Sequence, residues 1–112
     1  MIVYKILLEK EFLTLKNKKF SYGSAVDKKD GFIHLSTANQ LNETLEIHFS
    51  NSKNVYILAF ESARLDGVVW ETSRNNDLFP HLYGKIHFEN ISKKIFLEKN
   101  QGHFLIPVDF LN

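Results

Sequence analysis

An α+β fold follows from three features of the sequence. Strand-length runs of apolar or alternating residues recur five to seven times, only one stretch has clear helical periodicity, and the strands do not alternate strictly with helices as a parallel βαβ sheet requires. Its 112 residues suit one domain spanning 1–112, enough to bury roughly two-thirds of the surface its unfolded chain exposes.

Taken in order, Ile2 to Leu8 is aliphatic and β-branched, with Tyr4 and Lys5 inside it, and predicts a first strand. Glu9 to Lys18 places Phe12, Leu13 and Leu15 at near-helical spacing and predicts a short helix. From Ser21 to Lys29, Gly23 and the small polar residues compete with regular structure and predict a loop. Asp30-Gly31 reads as a turn and Phe32 to Leu35 as a strand. Ser36 or Thr37 can cap the main helix, Ala38 to Phe49, where Ala38, Leu41, Leu45, His48 and Phe49 fall on one face. Val55 to Phe60 is unbroken apolar sequence, as expected of a central strand buried on both faces. Gly67 to Thr72 predicts another strand, running into the polar loop Ser73 to Asp77. Phe79-Pro80-His81-Leu82-Tyr83-Gly84 reads as a rigid aromatic turn, because Pro80 fixes its own backbone angle and Gly84 permits an unusual one. Lys85–Phe88, Lys94–Leu97 and His103–Ile106 complete the strand candidates.

Composition narrows the function classes. Fourteen basic and thirteen acidic residues give a formal charge of +1, so charge does not imply nucleic acid, and the lysine doublets read as solvated corners. Without cysteine there is no disulfide, thiolate nucleophile or Cys-ligated zinc. The short apolar start lacks the layout of a signal peptide, and no run approaches the ~20 apolar residues of a membrane span, so a cytoplasmic protein with no membrane partner is expected. The Rossmann and P-loop fingerprints are absent.

The chemistry is expected where aromatic and polar residues mix. In a strand, Phe32, His34 and Ser36 share one face while Ile33 and Leu35 take the other, so an imidazole and a hydroxyl stand beside an aromatic ring like a cleft wall. Glu71, if buried beside Trp70, must be paired or protonated, which would mark a site. His34, His81 and Glu71 have zinc-ligand types without the short spacings of a specific metal motif, so no metal is expected. Neither Ser24 nor Ser36 sits in a nucleophile elbow, and His48, His87 and His103 read as structural.

Tyr4-Lys5, Tyr22-Gly23-Ser24, Asp30-Gly31-Phe32-Ile33-His34-Leu35-Ser36, Gln40, Trp70-Glu71 and Phe79 to Gly84 together resemble the bacterial domain-of-unknown-function family 952. The resemblance implies a fold related to the ADP-ribosyltransferase superfamily, in which small antiparallel sheets hold NAD in a cleft. It implies that His34 fixes a ribose hydroxyl and Ser36 adds a polar contact. Tyr22 or Tyr83 would stack on a flat ring, Ser24 would line the pocket, and Arg64, Arg74 or a nearby lysine would meet phosphate. Glu71, or His81 with Tyr83, would be the catalytic group. The expectation is a domain that binds a nucleotide or NAD-like ligand, with NAD as a substrate for ribosyl transfer. The alternative is a non-catalytic module that binds a metabolite or protein through the same wall.

Overall fold

The computed structural model describes residues 1–111 and is α+β, with small antiparallel sheets and short helices. Strand β1 (Ile2–Leu7) pairs antiparallel with β4 (Asn54–Glu61), which pairs with β8 (Lys93–Glu98). A second sheet has the order β3-β6-β5, from Ile33–His34, Leu78–Leu82 and Val68–Thr72. The two strands β2 (Phe20–Ser21) and β7 (Ile86–His87) form a separate ribbon. Tyr4 and Ser36 join the two larger sheets by exchanging backbone hydrogen bonds of 2.8 and 2.9 Å. Among the described residues β1 and β3 have no other backbone pairing, and a seam opens between them.

Strand β4 is central, as its unbroken apolar sequence predicts. Leu58 and Phe60 join Val3, Leu7, Phe12, Leu15, Ile33, Leu35 and Leu82 in one core, and Val55, Ile57 and Ala59 join Tyr4, Ile6, Leu41 and Leu45 in another. Each fully buried aliphatic side chain adds about 1.5–3 kcal/mol, so the sheet is anchored from both faces. By alternation Lys5 shares the Val3 and Leu7 face of β1, and it is only 5% exposed.

Helix α1 (Glu9–Lys18) is the longest, with Glu9 and Glu11 in its first turn, Lys16 and Lys18 in its last, and Phe12 stacked on Tyr56 at 4.0 Å between ring centres. That charge order suits the helix dipole. The helix expected at 38–49 forms as a 3₁₀ turn, Ala38–Gln40, leading into α3 (Leu41–His48), so it is not the single main helix.

Three other expectations are corrected. Residues 21–29 are not all loop: Ala25–Asp30 is a helix, α2, because Ser24 Oγ accepts from the Asp27 amide while Asp27 Oδ2 accepts from the Ser24 amide, a reciprocal cap. Gly31 closes α2 with φ +85°. Phe79 to Leu82 is not a turn but the middle of β6, paired on both sides, with Pro80 losing one donor while its carbonyl accepts from the Leu35 amide at 3.0 Å. His103–Ile106 forms no strand, only a bridge from His103 to Asn100. Among the described residues, no helix is long and apolar enough to cross a membrane.

Candidate functional site

A cavity of about 580 Å³ occupies the seam. Its walls come from Lys5 and Ile6 of β1, from Leu8 and Glu11 where α1 begins, and from the cap and helix α2. The rest is supplied by His34 to Ser36, by Thr44, His48 and Phe49 at α3, by Ser73 and Arg74, and by Phe79 and His81 of β6.

At its base lies Asp27, 1% exposed. Its carboxylate accepts from the Ser24 amide at 2.8 Å, the His34 amide at 3.1 Å and His34 Nδ1 at 2.6 Å, and pairs with Lys5 Nζ at 2.7 Å. Burial pushes the acid's pKa up, but hydrogen bonds from His34, Lys5 and Ser24 and the Lys5 charge outweigh burial and hold it well below the carboxylate range. An ionised Asp27 is an acceptor only, so Nδ1 of His34 must carry a proton and the imidazole is locked in orientation. Lys5 Nζ also donates to the His34 carbonyl at 3.1 Å, tying β1 to β3. Gly23 completes the nest: it has φ +93°, and a Cβ there would lie 2.1 Å from Asp27 Oδ2. The outer nitrogen of His34, Nε2, lies 3.0 Å from Asp30 Oδ2, and the two side chains are 37% and 40% exposed.

The second histidine is placed by register. His34 opposes His81 across β3 and β6, and their rings meet edge to face at 5.6 Å. His81 is 8% exposed, and its Nδ1 lies 2.7 Å from Glu71 Oε1, which also accepts from the Tyr83 hydroxyl at 2.7 Å. The hydrogen bonds from Tyr83 and then His81 lower the Glu71 pKa, and the same bond raises that of Tyr83. Phe32 stacks on His81 at 4.2 Å and packs against His34 at 4.5 Å and Tyr83 at 5.2 Å, so one ring braces all three.

The cationic wall is Arg74. Its Nη2 donates to Thr44 Oγ1 at 3.1 Å, Nε faces Glu43 Oε1 at 3.0 Å, and the guanidinium lies 5.0 Å from the Phe79 ring centre. Desolvation, then the charges of Arg74 and His34, lower the pKa of His48, which also lines the cavity.

Of the residues expected to form the site, Ser24, His34, Ser36 and His81 line the cavity. Glu71 and Tyr83 do not, and reach it only through His81. Tyr22 is outside as well, 53% exposed and edge-on to Phe20 at 6.2 Å. Arg74 is at the cavity and Arg64 is not, while His48, expected to be structural, is part of the wall. Sequence reasoning missed Asp27, Lys5 and Asp30. The Ser24-x-x-Asp27 spacing is a capping-box signal and could have revealed Asp27, and a lysine inside an apolar strand could have flagged Lys5 as buried and paired. Among the described residues, no group of three His, Asp or Glu side chains is arranged to hold a metal ion.

A crystal structure of protein CC0527 from Caulobacter crescentus superposes with a TM-score of 0.91 at 35% identity, covering 99% of this chain and 98% of that one. Its solution NMR structure superposes with a TM-score of 0.80 at 36% identity, over 92% and 90% of the two chains. No functionally curated protein matches the sequence. Residues 6–94 match the model of the family described as a protein of unknown function, DUF952, and the chain belongs to that family.

Proposed function

We propose that this domain binds NAD or a closely related nucleotide in the seam between β1 and β3, in an arrangement of the ADP-ribosyltransferase kind. The observation that carries this reading is the orientation of His34: Asp27 fixes Nδ1 as a donor, leaving Nε2 at the wall of a cavity large enough for a nucleotide. A ribose hydroxyl is the group that such an imidazole addresses, with Ser36 beside it. Arg74 supplies positive charge for phosphates, and Ile6, Leu8, Phe49 and Phe79 supply apolar wall for a flat ring.

Ribosyl transfer extends this reading. As nicotinamide leaves, the bond from its nitrogen to the ribose carbon breaks with the electron pair going to nicotinamide, and positive charge grows on the sugar until the lone pair of an acceptor hydroxyl or water forms the new bond to that carbon and the acceptor's proton passes to solvent. His81 with Glu71 behind it is the pair placed to respond, Glu71 countering the charge through the imidazole it holds. A specific observation favours the second reading, a binding module without chemistry: Glu71 stands outside the cavity wall, and its Oε1 is already used by His81 and Tyr83. Binding is common to both readings and is tested first.

Calorimetry with NAD on the wild type and His34→Ala decides. Heat from the wild type and little from the variant supports the assignment. Equal heats from both proteins, or none from either, would remove NAD from the account. Nicotinamide release measured on the wild type and His81→Ala then separates transfer from binding.

A further inference from the structure

From the sequence Asp30 reads as a turn residue and part of the family motif, not as a site residue, yet it meets the outer nitrogen of His34. With Nδ1 held by Asp27, the other ring nitrogen of His34, Nε2, lies 3.0 Å from Asp30 Oδ2, the distance of a hydrogen bond in which the nitrogen donates and the carboxylate accepts. A ligand carrying two adjacent hydroxyls can enter this contact, one oxygen accepting from Nε2 while the neighbouring O–H donates to Asp30.

A donor and an acceptor this close together suit hydroxyls on adjacent carbons, each within hydrogen-bond reach of one of them. Ala25 and Val26 line the same cavity, and Val26 lies four residues before Asp30 on α2, so apolar surface stands on the same helix face for the carbons of a furanose ring. A carboxylate is also a selective reader here, since it accepts from a free hydroxyl and repels a phosphate in that place.

We propose that His34 Nε2 and the Asp30 carboxylate form a donor–acceptor clamp for a cis diol, making Asp30 the residue that selects an unmodified ribose over a deoxyribose. This deepens the nucleotide-binding reading and rests on it. Asp30 is exposed enough to be replaced without disturbing the core, whereas Asp27 is not.

The test is calorimetry of the wild type, Asp30→Asn and Asp30→Ala with two ligands: NAD, and the NAD analogue lacking the 2′-hydroxyl of the nicotinamide ribose. The wild type should prefer NAD by about tenfold or more, and both variants should bind the two ligands within about twofold of each other at an unchanged melting temperature. If the variants keep the wild-type preference, or the wild type shows none while still binding NAD, the diol clamp is overturned and the nucleotide site stands. If the wild type binds neither ligand, clamp and site fall together.

Discussion

The two histidines opposed across β3 and β6 make nearly the same contact and live in different surroundings. His34 Nδ1 meets Asp27 at 2.6 Å and His81 Nδ1 meets Glu71 at 2.7 Å. Asp27 is buried, compensated by Lys5 and fixed by the α2 cap. Glu71 is on β5, an edge strand, and is 38% exposed, and its Oε1 is held by His81 and the Tyr83 hydroxyl. The difference teaches that a carboxylate–histidine distance says little about what the pair does. Burial turns the first pair into a rigid part that orients a ring, whereas partial solvation leaves the second pair less constrained.

The largest expected effect breaks the first pair. Asp27→Ala leaves Lys5 buried without its counter-charge, which costs about 3–5 kcal/mol, read by urea denaturation. A loss below about 1 kcal/mol would mean that the buried and half-exposed pairs are energetically alike, and the contrast would vanish.

Next is Gly23→Ala, which forces a side chain into the space of Asp27 Oδ2 at a backbone angle that L residues rarely adopt. Its cost should be about 1–3 kcal/mol in the same assay, with NAD binding weakened along with it. Replacing Arg74 with Met is expected to leave the fold intact and weaken NAD about tenfold, an effect that shrinks as salt is raised.

Acid should separate the pairs further. The folded pKa of Asp27 lies below its unfolded value of about 3.9, so its contribution is fully present above that value and is lost as pH falls through the folded one. Stability measured from about pH 5 downward should therefore drop in the wild type, and more gently in Asp27→Asn. The smallest change belongs to Glu71→Gln: an unaltered melting temperature and a Tyr83 whose raised pKa moves back toward its ordinary value, followed by ultraviolet titration. A clear loss of stability instead would make Glu71 a structural partner like Asp27.

Much of this architecture was legible in one dimension. The unbroken run from Val55 to Phe60 required burial on both faces, and β4 has it; the alternation around His34 placed Ile33 and Leu35 in the core and left the imidazole at a cavity wall. These are local rules, since side chains alternate along a strand whatever lies elsewhere in the chain. Reading Phe79 to Gly84 as a turn failed for the converse reason. Pro80 limits its own backbone and removes one donor, but pairing on both sides is decided by partners far away in sequence.

The sequence by itself determined the fold class, the central strand and the imidazole at position 34, because periodicity and composition act over a few residues. Only the tertiary structure decided that Lys5, Asp27 and Asp30 lie around His34, that Glu71 is bonded to His81 outside the cavity wall, and that Tyr22 stands aside. Charges find their partners through space rather than along the chain, and whether a carboxylate is rigid or responsive depends on how much water the surrounding elements exclude.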